Sequence, residues 1–257
     1  MQSLFFRDLR TGKERIVATP LRSGDAISHA RLSPDGKLIA AAYSSLEERG
    51  SAYNWKLVTV PVSGGDLKTI DPQGTRIRGW TPDGKLLLLW SANPPTRILT
   101  LDLATGKRTD LFPFAEQDSF SQPSLSSDGK WIAFDGPPGK ALYIAPFHGA
   151  APIPKSEWIP IAESGSFPAW SPDGNQIYYA LTALREGMAS ESQTTMVRRP
   201  LDPLSKRPVS AAVPFYQFTG GVLGNPVVNP IAVARDQIVV VFSVSDSDIW
   251  AMNLSTP

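Results

Sequence analysis

A four-residue word, Ser-Pro-Asp-Gly or a close variant, recurs four times along this chain of 257 residues. The copies lie in LSPDGKLIAAAYS, WTPDGKLLLLWSA, LSSDGKWIAFDGP and WSPDGNQIYYALT. Their aspartates are Asp35, Asp83, Asp128 and Asp173, so successive copies are 48, 45 and 45 residues apart. Self-similarity at a period of this length is typical of a repeat architecture. We therefore predict that the chain is a repeat protein.

Each copy stands between two short apolar runs, as the turn of a β-hairpin does. Gly accepts a positive φ and Asp tolerates turn geometry, so Asp-Gly between strand-like runs is a strong hairpin signal. The predicted turn residues are Asp35, Gly36, Asp83, Gly84, Asp128, Gly129, Asp173 and Gly174. Because these residues recur in every copy, we assign them a structural role in the turn rather than a catalytic one.

A third strand with period-two alternation is predicted after each hairpin, for example Arg97–Leu103 (RILTLDL). A short turn and a fourth strand follow within DLATGKRTDL, and a similar phrase, DLRTGKERIV, stands near the N-terminus. Four antiparallel strands of this spacing make one blade of a β-propeller. The predicted fold class is therefore all-β, a β-propeller of four-stranded antiparallel blades.

The repeat spacing predicts five blades and an N-terminal half-blade in a single domain, a propeller of six-bladed type. The half-blade spans 1–20, the blades span 21–75, 76–114, 115–163 and 164–220, and a degenerate last blade spans 221–257. Either the half-blade closes the ring against the C-terminal strands, or the chain is the tail of a longer protein truncated at its N-terminus. We favour the second interpretation.

The Ser-Pro-Asp-Gly-Lys hairpin and the later Asp-Leu-x-Thr-Gly-Lys hairpin resemble the TolB-type propeller repeat, a WD-like family of bacteria. The resemblance covers nearly the whole chain, while the Gly-His and Trp-Asp dipeptides of eukaryotic WD repeats are missing. The closing segment from Asn225 to Trp250 also resembles the end of larger bacterial regulators that carry a propeller behind a kinase or winged-helix module. The resemblance implies a scaffold or sensor domain, in a periplasmic or otherwise extracytoplasmic location.

Composition excludes several classes of function. The net charge is +1 with no basic stripe, so we expect no nucleic-acid partner. No run approaches the roughly 18 apolar residues needed to span a membrane. The chain has no cysteine, which excludes disulfides, thiolate zinc sites and a cysteine nucleophile but leaves the compartment open.

Candidate catalytic groups are few. His29 and His148 are the two histidines, and no Gly-x-Ser-x-Gly elbow accompanies them, so surface or turn roles are expected for both. Asp246 and Asp248 lack the further ligands of a calcium loop. We therefore predict no catalytic residue, no cofactor and no metal site, and a protein that is not an enzyme.

The tryptophans and one aromatic cluster are the candidate packing and recognition residues. Trp80 and Trp170 directly precede the turn word, a position that predicts packing between blades. Trp55 and Trp158 stand in or near loops, where core packing and ligand binding are both open. A long connection, Pro203 to Gly224, is predicted between the fourth and last blades. Phe215, Tyr216 and Phe218 in that connection complete a candidate binding patch with Trp55 and Trp158.

The leading functional hypothesis is a non-catalytic protein-interaction scaffold or ligand-sensing module. We expect it to bind a protein or peptide, as a monomer or as part of a longer polypeptide. An alternative is the gating propeller of a prolyl-oligopeptidase-like serine peptidase whose catalytic domain is absent from this chain. A propeller enzyme acting on carbohydrate is a third hypothesis, and it would require Asp118, Asp135 and Asp246 to converge in space.

Overall fold

The computed structural model describes residues 3–8, 10–20, 22–45, 55–73, 75–91, 96–112, 119–137, 141–183, 193–219, 222–223, 231–243 and 249–253. Within these ranges the chain is almost entirely β-strand, with one short 3-10 helix at Lys155–Glu157. The chain divides into two compact units, 1–117 with 149–152, and 118–148 with 153–257. The described residues contain no helix long and apolar enough to cross a membrane.

The first unit contains a two-stranded sheet and two four-stranded antiparallel sheets. The two-stranded sheet consists of β1 (Leu4–Arg7) and β2 (Glu14–Ala18). Blade 1 comprises β3 (Ala26–Leu32), β4 (Leu38–Ser44), β5 (Lys56–Pro61) and β6 (Lys68–Asp71). Blade 2 comprises β7 (Thr75–Trp80), β8 (Leu86–Ser91), β9 (Arg97–Asp102) and β10 (Arg108–Asp110).

The second unit contains three further four-stranded antiparallel sheets. Blade 3 comprises β11 (Ser121–Leu125), β12 (Trp131–Gly136), β13 (Ala141–Pro146) and β14 (Ile159–Ala162). Blade 4 comprises β15 (Ser166–Trp170), β16 (Gln176–Ala183), β17 (Gln193–Pro200) and β18 (Val213–Thr219). Blade 5 comprises β19 (Val222–Leu223), β20 (Ile231–Val233), β21 (Gln237–Ser243) and β22 (Ile249–Asn253), with the other three strands paired to β21.

The Ser-Pro-Asp-Gly word forms the turn between the first and second strands of blades 1 to 4. In blade 1 the Gly36 amide donates to the Ser33 carbonyl at 2.9 Å, which closes a β-turn across Pro34 and Asp35. Gly36 then adopts a φ of 71°, a left-handed conformation that glycine reaches without strain. Equivalent bonds and positive φ values occur at Gly84, Gly129 and Gly174. The hairpins predicted from the sequence are therefore present in all four blades.

The cores lie between adjacent sheets. Leu57 of blade 1 packs with Ile77 and Leu87 of blade 2, and all three side chains are fully buried. Likewise Ile144 of blade 3 packs with Tyr179 of blade 4. A single sheet has no partner of its own for these side chains. Each blade therefore depends on its neighbour to remove this apolar surface from water.

Two tryptophans join neighbouring blades by a hydrogen bond as well as by burial. The Trp80 indole N–H donates to the Arg31 carbonyl of blade 1 at 3.0 Å. The Trp170 indole makes the same bond to the Ser124 carbonyl of blade 3, also at 3.0 Å. Arg31 and Ser124 occupy equivalent places, four residues before their turn aspartates Asp35 and Asp128. The packing between blades predicted for these two tryptophans is confirmed.

The first strand of three blades carries a bulge with a left-handed residue. His29, Gln122 and Phe167 have φ values of 53°, 52° and 59°, and each lies six residues before its turn aspartate. Strand pairing skips there in every case. His29 is thus inside β3 and buried, so the surface or turn role expected for it is wrong.

The long connection predicted from Pro203 to Gly224 is also wrong, because β18 occupies part of it. β18 pairs antiparallel with β17 and supplies the fourth strand of blade 4. Its sequence, VPFYQFT, has the aromatic residues that favour strands. Pro214 and the following Gly220-Gly221 obscured this pattern. Proline is tolerated here because an outermost strand has one side without a pairing partner.

Replacing Trp80 or Trp170 by Phe should destabilise the protein by about 1 kcal/mol each, since a partly buried carbonyl loses its donor. The two losses should be similar because the two indoles occupy equivalent positions. Urea-induced unfolding at neutral pH measures both. Two variants as stable as the parent protein would show that the indole N–H bonds contribute nothing and that only ring burial matters.

Candidate functional site

The turn aspartates are engaged by their own hairpins. In blade 4 the Ser171 hydroxyl donates to the Asp173 carboxylate at 2.5 Å, and the Asn175 amide donates to the same oxygen at 3.0 Å. The Ser171 oxygen in turn accepts the Gln176 amide at 2.9 Å. The corresponding hydroxyl–carboxylate pairs are Ser33–Asp35, Thr81–Asp83 and Ser126–Asp128. These bonds lower the pKa of all four carboxyls, with the hydroxyl as the largest cause.

A second set of aspartates closes the hairpins between the third and fourth strands. The Asp102 carboxylate accepts the amides of Ala104 and Thr105 at 2.9 and 2.8 Å. Asp8 and Asp202 accept the equivalent amides of their own turns. These backbone donors are the largest cause of the lowered pKa of each of the three carboxyls. All seven aspartates therefore stabilise turns.

Shallow grooves lie beside the Ser-Pro-Asp-Gly turns within each unit. One groove of about 380 Å³ is lined by the turns of blades 1 and 2, with Trp80 and Leu103 at its sides. Another, also of about 380 Å³, lies between the turns of blades 4 and 5. There Val233 stands in place of tryptophan, and Tyr178 and Arg235 add polar groups. These grooves are places where neighbouring blades leave space beside a rigid turn.

Two members of the predicted patch, Trp55 and Trp158, pack against different residues. Trp158 lies edge-on to Phe120 and Phe134, with ring centroids 5.6 and 5.2 Å apart, and 5.2 Å from Tyr143. These rings are part of the packing of blade 3, which favours the core interpretation of Trp158. Trp55 lies 6.3 Å from the imidazole of His29 in the first unit.

The other three members of the patch all lie on β18. Phe215 packs edge-on against Tyr178 with ring centroids 5.9 Å apart, and Phe218 packs against the same cluster between blades 4 and 5. Tyr216 is different, because 43% of its surface is exposed. Its ring lies 5.9 Å from that of Phe218. Tyr216 is therefore the aromatic side chain of β18 that a partner can reach.

Further exposed apolar side chains precede Tyr216 along the outer part of blade 4. They are Leu204, Val209 and Val213, with exposures of 88%, 62% and 41%. Leu201 and Pro208 form a bridge that continues the pairing of β17 and β18 toward the hairpin. We call these three residues and Tyr216 the outer margin of blade 4. All four are exposed apolar or aromatic side chains on one blade.

Two further candidate acid–base groups are His148 and Asp135. His148 lies 2.6 Å from the Glu157 carboxylate in an exposed pair. Asp135 is buried and accepts the Ser121 hydroxyl at 2.7 Å. Asp118 and Asp246, with which Asp135 would have to converge in a carbohydrate-active site, lie outside the described residues. The described parts of the chain contain no group of three acidic or histidine residues placed to hold a metal ion.

Sequence reasoning missed Lys206. It stands where Gly12 and Gly106 stand in the sister hairpins, and it has a φ of 55°. Its ammonium is buried and donates to the Gly174 carbonyl at 2.7 Å and to Asn175 Oδ1 at 3.2 Å. Aligning DPLSKR with DLATGK would have revealed the substitution. Lys206 thus joins both hairpins of blade 4 and anchors the base of its outer margin.

Comparisons with solved structures identify the fold. A putative TolB from Agrobacterium tumefaciens aligns with a TM-score of 0.53 and 17% identity, covering 85% of this chain and 89% of that one. The β-propeller domain of the Trilobed protease from Pyrococcus furiosus aligns with a TM-score of 0.56 and 12% identity, over 89% of this chain and 69% of that one. Together with the four-stranded sheets, these similarities confirm the predicted β-propeller fold.

The similar structures include enzymes. A prolyl endopeptidase aligns with a TM-score of 0.59 and 12% identity over 98% of this chain, which spans 38% of the enzyme. At these identities the likeness concerns the fold alone. No protein-family model matches the sequence, and a search of curated proteins finds no match.

Acid should weaken the protein through its turn carboxylates. A carboxyl with a lowered folded pKa stabilises the fold above the pKa of the unfolded chain, and this contribution disappears as the pH falls through the folded value. The free energy of unfolding should therefore fall below about pH 4, near the ordinary aspartate value of 3.8. A variant with Asp128→Asn and Asp173→Asn should show a shallower fall below about pH 4. An unchanged slope in urea unfolding would contradict this assignment.

Lys206 can be tested with two substitutions. Lys206→Met should destabilise the protein by about 1–3 kcal/mol, because the buried Gly174 carbonyl loses its donor. Lys206→Gly loses the same donor but relieves the left-handed backbone by about 1 kcal/mol, so it should be the less damaging change. Urea unfolding ranks the two variants. The opposite order would show that the lysine stem, rather than its hydrogen bonds and backbone, matters.

Proposed function

We propose that this protein is a non-catalytic, TolB-like propeller that binds another protein through the outer margin of blade 4. The main observation behind this proposal is that one blade exposes Leu204, Val209, Val213 and Tyr216. Apolar groups on a surface gain free energy when a partner removes them from water. The structural use of the seven turn aspartates supports a binding role over a catalytic one. The resemblance of the repeats to TolB-type propellers supports a partner in an extracytoplasmic compartment.

Site-specific photo-crosslinking tests this proposal. Tyr216→p-benzoylphenylalanine and Leu204→p-benzoylphenylalanine should each yield one discrete protein adduct, identified by mass spectrometry, in the cells that make the protein. Ala104→p-benzoylphenylalanine is the matched control, since Ala104 holds the place of Leu204 in the blade 2 hairpin and is exposed. Equal crosslinking from all three positions, or no crosslinking from any of them, would overturn specific protein binding at the outer margin of blade 4. Turnover of peptides or glycans by the purified protein would overturn the non-catalytic role.

A second candidate is the gating propeller of a serine peptidase. The specific observation in its favour is the similarity in fold to a prolyl endopeptidase and to a protease propeller domain. In that case the partner would be a catalytic domain encoded with the propeller. Reading the coding DNA on both sides of this segment decides it, because a Gly-x-Ser-x-Gly elbow in frame would favour the peptidase over the scaffold.

A further inference from the structure

β18 differs in length and in composition from the fourth strands of blades 1, 2 and 3. It has seven residues, whereas β6, β10 and β14 have four, three and four. β6 and β10 carry charged residues, and β14 is a four-residue strand with Pro160 at its second position. Short length, charge and proline are the devices that keep an edge strand from pairing with another chain. β18 carries no charge, and its Pro214 lies at the second position, ahead of the three aromatic residues.

The outer side of β18 is open among the described strands. β18 pairs with β17, and the described part of blade 4 places no other strand beside it. An edge of this kind presents backbone N–H and C=O groups in the spacing that an extended chain requires. Val213 and Tyr216 flank this edge with exposed apolar surface. Both backbone and side chains therefore favour an extended peptide over a globular surface.

The charges near one end of β18 indicate which charge the partner segment carries there. Arg198 is exposed and lies directly across from Val213 in the pairing of β17 with β18. Arg207 is exposed in the hairpin that leads to the same end of β18. Among the residues that the structure describes, neither forms an ion pair, and the adjacent Asp202 carboxylate is occupied by its turn amides. The Val213 end of the strand is thus cationic and the Tyr216 end is neutral.

We propose that β18 accepts an extended segment of a partner protein by β-strand addition, a step that rests on the protein-binding function proposed above. The segment has alternating apolar residues and acidic residues at its C-terminal end. Antiparallel addition is the more stable geometry, and it brings the C-terminal end of the segment to Val213 and Arg198. A second copy of this chain would bring another cationic margin and gain no charge complementarity.

Synthetic peptides provide the probe. The capped peptide Val-Thr-Val-Thr-Val-Asp-Glu should shift the backbone amide NMR signals of β18 and bind about tenfold tighter than its Lys-Lys counterpart. Two analogues carry N-methyl groups on alternate amides, in opposite phases. One phase should abolish binding and the other should retain it, because only alternate amides of an added strand face β18. Equal affinity of both analogues would overturn strand addition.

Variants of the full protein complete the test. Arg198→Glu should reverse the preference between the acidic and the Lys-Lys peptide, while the matched reversal Lys68→Glu on the outer strand of blade 1 should not. Val213→Glu should weaken the acidic peptide without unfolding the protein, as checked by circular dichroism. An unchanged preference in Arg198→Glu would overturn the charged end. If the protein dimerises in analytical ultracentrifugation and Val213→Glu abolishes the dimer, the occupant of β18 is a second copy of this chain rather than a peptide.

The two proposals fail in different ways. If strand addition is wrong but protein binding is right, crosslinks from Tyr216 persist while the peptides do not shift β18. If protein binding at the margin is wrong, the crosslinks from Tyr216 and Leu204 are no more specific than those from Ala104.

Discussion

The burial of each blade against its neighbour is the constraint on which the described structure depends. Leu57, Ile77 and Leu87 are fully buried only because two sheets meet face to face. Hydrophobic burial is non-directional, so by itself it leaves neighbouring sheets free to slide. The indole bonds of Trp80 and Trp170 add direction, since each fixes one carbonyl of the preceding sheet. Together they set the position of the blade 2 turn relative to the blade 1 turn, and of the blade 4 turn relative to the blade 3 turn.

The turn aspartates are held by hydrogen bonds within their own hairpins. In each Ser-Pro-Asp-Gly hairpin, a hydroxyl and a backbone amide hold the carboxylate and lower its pKa. Such a group stays ionised at neutral pH and satisfied by its own loop, which suits it to neither proton transfer nor the recognition of a partner. The proposed binding of a partner therefore rests on side chains outside the repeat pattern, where Leu204 stands in the place of Ala104 and Lys206 in that of Gly106.

The repeat made the fold predictable, because a glycine with positive φ and a capped aspartate are local features that recur in sequence. The positions of Trp80 and Trp170 were predictable for the same reason. β18 was missed because Pro214 and a following Gly-Gly pair are local signals for a loop, whereas the pairing with β17 that overrides them is a tertiary interaction. His29 was misplaced because a bulge depends on the partner strand, which the sequence around one residue does not show.

The composition of β18 cannot be explained by the core alone. Phe215 and Phe218 pack against the cluster shared by blades 4 and 5, so their size is required there. Val213 and Tyr216 do not belong to that cluster and remain exposed, and a charged residue at either place would sacrifice little packing. Charge at those places would also protect the edge from pairing, as it does in β6 and β10. Tyr216 and Val213 leave the edge able to pair with another strand, which also raises the risk of aggregation. The proposed binding of a partner strand explains why this edge is not protected.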